Sequence, residues 1–403
     1  MKKKLVQINV VCNGSTGKIM NAIQKKAIED GWEAYSFFGR GKPANENCFK
    51  IGNNFDILWH VFITRLFNKH GHGSKGATKR LIKQIKKIDP DVIQLHNIHG
   101  YYLNFELLLR FLKEYKKPVI WTLHDCWSMT GHCASFVSQA CNKWKELCED
   151  CKYKNVYPKA YFGKKIIKKE YELKKELIKD IKDLTLIVPS NWMKQQVLNS
   201  YLKEKETYVI NNYIDLDIFK YQIDKNIKEK YMIPEDRKII LGVSSVWNEE
   251  KGIKSFSELS KIIDSNDVIV MIGLKKKQFK CLPNNIIKIK RTDNQEELAK
   301  IYSIADVLFN PSISETFSLV TLEAIACHTP CVVVDSTATP ELINDKIGIA
   351  IDKSDLKDIN KIYLQLKNAM NIDKNQSEFI EKSSKYGIEN YNKYMSLYEE
   401  ILN

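Results

Sequence analysis

Strand–helix alternation along the chain predicts an α/β protein built from two doubly wound domains with parallel sheets. Three observations carry this. Short runs rich in Val and Ile recur without polar alternation, as strands covered on both faces do. Longer amphipathic stretches separate them, which suits right-handed crossovers between parallel strands. One polar stretch, 224–236, interrupts the alternation, which resumes near Lys238. At 403 residues the chain is longer than one domain commonly is.

The first domain, 1–212, has expected strands at 5–12, 33–38, 92–96, 119–124, 184–189 and 208–210. The second, 213–375, has them at 239–245, 268–272, 286–290, 307–310 and 331–335. Helical patterns fill the gaps, for example 78–88, 105–114 and 295–305. The last segment, 376–403, is polar and aromatic and is a candidate helix for packing back on the first domain. Two such domains are expected to face each other across a cleft, with a ligand at the strand carboxyl ends.

Apolar residues make up 44% and charged residues 28%, which fits a globular protein with ample core. The formal charge of +14 points to an anionic partner (a phosphate ligand, a membrane surface or nucleic acid) or to a lysine-rich surface. Nucleic acid rests on charge alone, since no binding motif or aromatic–basic stripe accompanies it. "MKKKLVQINVVC" is too short and too polar for an export signal, and no apolar run reaches membrane-spanning length. The expected location is the cytoplasm, where disulfides are disfavoured.

"NGSTGK" follows the first strand and resembles the end of a triphosphate-binding loop. That loop needs a glycine at position 12 and a hydroxyl at 19; Cys12 and Ile19 stand there. What survives is a glycine turn from strand into helix. Gly14, Ser15, Thr16 and Gly17 either bring backbone N–H groups to an anion or simply make the turn.

"NPSISETFSLVTLEAIACHTPCVV" carries more chemistry. Seven residues separate Glu315 from Glu323. "TFSLVTLEAIA" reads as a helix with Leu319, Leu322 and Ile325 on its buried stripe. Glu315 then precedes the helix, Glu323 lies inside it, and Phe317, Ser318, Leu319 and Val320 stand at its positive end. Such an end suits a diphosphate, with carboxylates beside it accepting bonds from sugar hydroxyls.

This pattern resembles the E-x7-E motif of retaining GT-B-fold glycosyltransferases of family 4, whose two domains are Rossmann-like. The resemblance covers most of the chain. It extends through "LIVPSNWMKQQV", "VINNYIDLDIF", "GVSSVWNEEKGI", "DNQEELAKIYSIADVLFNPS" and "TPELI". "HNIHGYYLN" and "WTLHDCWSMTGHC" resemble a colanic-acid or capsular polysaccharide subgroup. The resemblance implies a hexosyltransferase using a UDP- or GDP-linked sugar, with a glycan or lipid-diphosphate-linked acceptor and no nucleic acid. Glu315 would bind donor-sugar hydroxyls, Glu323 the ribose, and Lys251 the leaving diphosphate. Lys290 and Arg291 would border the base. His124 would lie beside the anomeric centre, and Gly14–Gly17 near the phosphates. No Asp-x-Asp pair in a suitable context is evident, so metal-independent chemistry is expected.

The sequence departs from the family in three places. No Arg precedes the Lys-Gly at 251–252, so a second phosphate cation must come from elsewhere, with Arg40 and Lys18 as candidates. Ser318 and His328 replace frequent glycines. His96 and His99 follow a strand end, where acceptor contact and packing are equally good readings. A non-catalytic sugar-nucleotide-binding relative or a phosphorylase on the same fold is the alternative. The two glutamates favour retained donor binding, and a pyridoxal-dependent phosphorylase would need a longer chain.

Two stretches stand apart. Cys133, Cys141, Cys148 and Cys151 are spaced C-x7-C-x6-C-x2-C, which suits a structural zinc, free thiols or a disulfide. Phe55, Leu58, Trp59, Phe62, Ile63 and Leu66 share one helical face, with Lys and Arg following densely. That face reads either as core or as a peripheral contact with the inner face of the plasma membrane.

Overall fold

The computed structural model describes residues 2–403 except 153–156, 164 and 225. The chain forms two compact units, Met1–Asn211 with Tyr391–Asn403, and Asn212–Asn390. Each is an α/β domain around one parallel sheet.

The first sheet comprises β1 (Lys4–Val11), β2 (Glu33–Arg40), β3 (Cys48–Lys50), β4 (Val92–Leu95), β5 (Val119–Thr122), β6 (Leu184–Val188) and β7 (Thr207–Val209). Its order is β3-β2-β1-β4-β5-β6-β7, all parallel. The second comprises β8 (Lys238–Val243), β9 (Asp267–Ile272), β10 (Ile286–Ile289), β11 (Val307–Asn310), β12 (Cys331–Val334) and β13 (Gly348–Ile351). Its order is β10-β9-β8-β11-β12-β13, again parallel.

Both sheets are covered on two faces, as their unbroken apolar runs require. In β8, Ile239 and Leu241 pack into one layer while Ile240 packs into the other. In β9, Val268, Val270 and Ile272 alternate with Ile269 and Met271 in the same way. Two strands escaped the sequence reading, β3 and β13. Each is a short edge strand, and β3 leaves two of its three residues exposed.

The segment 376–403 does not act as one piece. The helix Ser377–Ser384 stays with the second domain, where Phe379 is fully buried and stacks on His328 at 5.5 Å. Only the stretch from Tyr391 onward joins the first domain. There Tyr398 packs on Trp32 at 5.7 Å and its hydroxyl donates to Gln94 Oε1. The expected single return helix is thus corrected to Glu389–Leu402. His328 itself sits at φ +57°, between Tyr221 and Phe379, with its Nδ1 bonded to the Lys374 carbonyl at 2.9 Å. Ring stacking on both sides holds a histidine where glycine is easier.

Candidate active site

In each sheet the strand order reverses at one place, β1/β4 in the first and β8/β11 in the second. Crossovers leave such a point in opposite directions and open a crevice at the strand carboxyl ends. The loops that follow these four strands carry most of the singled-out residues.

In the second domain Lys251 follows β8 and Glu315 follows β11. Lys251 Nζ donates to Glu315 Oε1 at 2.5 Å. The loops are tied together as well, since the Ile313 N–H donates to the Glu250 carbonyl at 3.2 Å. Gly252 sits at φ +71°, where a Cβ would lie 2.3 Å from Pro311 Cγ. Glycine is what lets this turn close. The Glu315 N–H donates to Thr337 Oγ1 at 3.0 Å, which fixes the carboxylate's backbone.

The helix Leu319–Ala326 begins at Ser318 as its N-cap. Ser318 Oγ accepts from the Thr321 N–H at 3.4 Å, and Asn310 Nδ2 donates to Ser318 Oγ and Thr321 Oγ1, both at 3.0 Å. Phe317 lies ahead of the cap, buried against Tyr386 at 5.7 Å. The positive end is therefore presented by the N–H groups of Ser318, Leu319 and Val320, without Phe317. Glu323 Oε2 accepts from the buried Tyr302 hydroxyl at 3.0 Å. Lys290 and Arg291 are exposed directly beyond β10, at the sheet edge.

In the first domain the helix Ser15–Glu29 starts at Gly14, φ +87°, with no side-chain cap. A Cβ at Gly17 would lie 2.5 Å from the Cys12 carbonyl carbon, so glycine lets the helix start close to the strand end. Asn9 Nδ2 donates to Thr16 Oγ1 at 3.2 Å. Lys18 is exposed. The Arg40 guanidinium lies 5.5 Å from the Tyr101 ring centroid, and its buried Nε has no hydrogen-bond partner among the described residues.

His96 follows β4 and His124 follows β5. His96 Nδ1 and His124 Nε2 are 2.9 Å apart, and His96 Nε2 is 3.1 Å from Gln7 Oε1. Burial, then the His124 charge, pushes the His96 pKa well below that of an ordinary imidazole. Burial also lowers His124 to about 4, despite the opposing pull of Asp125. His99 Nε2 is 2.7 Å from Asp125 Oδ2. Burial pushes the Asp125 pKa up, but His99, the Trp127 N–H and His124 outweigh it and leave the carboxyl below its usual range. Gln7, Asp125, Thr337 and Tyr302 were not singled out from sequence. Asp125 had a visible signal, standing next to His124 in "TLHDCW".

Residues 29–218 match the family model described as Glycosyltransferase Family 4. Residues 223–386 match that described as Glycosyl transferases group 1. The chain belongs to the GT-B glycosyltransferases of family 4. Among curated relatives of this family 4 chain, WcaC of Escherichia coli, named for colanic acid biosynthesis glycosyl transfer, is 28% identical over 231 residues. That match covers 53% of this chain and 55% of WcaC. The family 4 chain spans about half the length of the curated relatives it matches. Its fold is shared with a glycosyltransferase from Rickettsia africae (TM-score 0.69, 18% identity, 100% and 99% of the two chains covered). It is also shared with Anabaena HepE in complex with UDP-glucose (TM-score 0.62, 12% identity, 98% of each chain covered).

In this family 4 chain the four clustered cysteines, Cys133, Cys141, Cys148 and Cys151, line one cavity of about 260 Å³. All are unbridged. Burial first, then the neighbouring thiols, pushes Cys133 up to about 12. Among the described residues no three His, Cys, Asp or Glu side chains are placed to hold a metal ion. As they stand, the thiols share a cavity without forming a tetrahedral site.

The helix Asn54–Phe67 is not core. Phe55, Leu58, Trp59 and Phe62 are 50–75% exposed, and Ile63 and Leu66 are half-buried. Arg80 reaches Asp56 at 3.8 Å and ties the basic helix Lys75–Ile88 beside it.

Proposed function

We propose that the chain is a retaining hexosyltransferase. It moves a sugar from a UDP- or GDP-linked donor to a glycan or lipid-diphosphate-linked acceptor in bacterial surface polysaccharide assembly. The observation that carries this is the Lys251–Glu315 pair at the β8/β11 switch point, beside the capped start of a helix. A cation, an orienting carboxylate and backbone N–H groups at one helix end suit a sugar diphosphate.

Glu315 accepts hydrogen bonds from donor-sugar hydroxyls, and Glu323 binds the ribose. Lys251 and the N–H groups of Ser318, Leu319 and Val320 stabilise charge as it develops on the leaving diphosphate. That phosphate takes the acceptor's proton on the face it leaves, so no protein carboxylate pair is required. In the first domain His124 contacts the transferred sugar, and the Gly14–Gly17 turn with Arg40 faces phosphate. Lys290 and Arg291 border the base. The UDP-glucose complex of the HepE neighbour and the colanic acid relative support the choice of donor and pathway class.

The test is turnover of nucleotide sugars, with product linkage analysis and EDTA present throughout. Transfer with retained anomeric configuration, unaffected by EDTA, is expected; a strict divalent requirement or an inverted product would refute the mechanism. Metal content is read separately, on the protein before any EDTA is added. Zinc at the four cysteines is proposed on donor chemistry and shared cavity alone, and one equivalent per chain is expected.

The exposed face of the helix Asn54–Phe67 is proposed to rest on an anionic membrane. Its aromatic side chains are exposed, and the next helix, linked to it through Arg80 and Asp56, exposes Lys75, Lys79, Arg80 and Lys83, a combination that suits acidic lipid. Among the described residues no helix is long and apolar enough to cross a membrane. Vesicles containing phosphatidylglycerol should float the protein at low salt. Trp59→Ser with Phe62→Ser should lower the bound fraction at least about tenfold. Equal flotation of wild type and variant would remove the assignment.

A further inference from the structure

Arg40 ends β2, half-buried, and its charge is unmatched. Among the described residues the guanidinium makes no ion pair and no hydrogen bond, and its Nε is buried. Arginine carries five N–H donors and a permanent charge, so enclosing one without an anion is costly. Asp125, a carboxylate near enough to act on Tyr157, is already engaged by His99 Nε2 at 2.7 Å and by the Trp127 N–H at 2.9 Å.

The guanidinium nevertheless rests on a built wall, 5.5 Å from the Tyr101 ring centroid. Tyr101 stands at φ +71°, where a bulky residue is an outlier. Such a conformation persists only where its surroundings hold it. Here His70 packs edge-on against the Tyr101 ring at 5.0 Å and Tyr157 does so at 6.2 Å. The Tyr157 hydroxyl is 3.4 Å from His99 Nδ1, whereas the Tyr101 hydroxyl has no hydrogen-bond partner among the described residues. The charge of Arg65, in the last turn of the helix Asn54–Phe67, also acts on Tyr101, and among the described residues Arg65 forms no ion pair.

We infer that Arg40 and the Tyr101 hydroxyl, with Arg65 close by, form a phosphate site, and that the phosphate belongs to a lipid-linked acceptor. The anion site stands on this geometry; the word acceptor rests on the proposed function. The Arg40 carbonyl accepts from the Cys12 N–H at 3.1 Å, so its backbone borders the glycine turn. Its side chain instead reaches Tyr101, and its charge acts on His60 of the helix Asn54–Phe67. That helix and the following loop, tied by Asn68 Nδ2 donating to the Gly163 carbonyl at 3.1 Å, leave Phe62, Phe67 and Phe162 50–66% exposed. A guanidinium fork with an exposed apolar surface alongside suits a phosphate that carries a hydrocarbon tail.

The test is titration calorimetry of the full chain with farnesyl diphosphate and, separately, with inorganic pyrophosphate, UDP and GDP being present to fill the donor site. Arg40→Met keeps the aliphatic stem and should weaken farnesyl diphosphate about tenfold or more. Tyr101→Phe removes only the hydroxyl and should weaken it about threefold or more. UDP affinity, titrated alone, should stay unchanged in both variants. Unchanged farnesyl diphosphate binding in folded Arg40→Met would overturn the site, as would a loss of UDP affinity in its place. Farnesyl diphosphate should bind more tightly than pyrophosphate; equal affinity would overturn the lipid-borne source. A wild-type chain that binds neither UDP nor GDP would refute the proposed donor, while pyrophosphate binding that depends on Arg40 would still uphold the anion site.

Discussion

Glu315→Ala should reduce kcat/KM by more than about a hundredfold while the protein stays folded. The carboxylate sits between two kinds of partner. One oxygen receives Lys251, and the carboxylate as a whole is proposed to receive donor-sugar hydroxyls. Hydrogen bonds to a charged group contribute roughly 1.5–3 kcal/mol each, so two such bonds exceed a hundredfold. The variant also releases Lys251 from its fixed position, and a misplaced cation stabilises the leaving diphosphate poorly. Stability should change little. The pair is partly exposed, 30% at Lys251 and 19% at Glu315, and such pairs contribute about 1 kcal/mol or less. Glu315→Gln keeps the shape and the Thr337 backbone contact but removes the charge, so it should fail almost as badly. Calorimetry and steady-state kinetics on both variants check this. Turnover within threefold of wild type in either would end the assignment of Glu315.

Glu315 stands out in sequence by its seven-residue spacing from Glu323, and Lys251 through the resemblance of "GVSSVWNEEKGI" to the family. Each also follows an apolar run that reads as a buried strand, and a switch point gathers such loops. Sequence is silent where meaning depends on register or on what covers a face. Gln7 looks like a polar interruption in "LVQINVV"; its contact emerges only when parallel pairing sets β1 beside β4 and brings His96 within reach. The helix Asn54–Phe67 shows its apolar face in sequence, but periodicity cannot say whether anything packs on that face, and nothing among the described residues covers Phe55 or Leu58. The segment 376–403 reads as one helix in sequence because both halves are polar and aromatic. Phe379 and Tyr398 are buried in different cores, a distinction that composition does not contain.

Gly252→Ala should lower both stability and turnover, and the comparison with Gly252→Asn separates two causes. The backbone lies at φ +71°, where an alanine costs about 1–2 kcal/mol and an asparagine less. The added Cβ would also stand 2.3 Å from Pro311 Cγ, and proline's ring cannot turn aside as a flexible chain can. Relief must come from the turn itself, which carries Lys251 on the preceding residue. A displacement of about 1 Å there is enough to cost on the order of a hundredfold in rate. The melting temperature should fall by several degrees, as 1 kcal/mol corresponds to about 2–4 °C in a domain of this size. If φ alone matters, Gly252→Asn should recover most of both losses. If the Pro311 contact governs, Asn should lose turnover as fully as Ala, because it carries the same Cβ. The contact distance favours the second outcome. Wild-type kcat/KM in Gly252→Asn would show that the turn can move without disturbing Lys251, and would separate the Lys-Gly turn from the chemistry assigned to it.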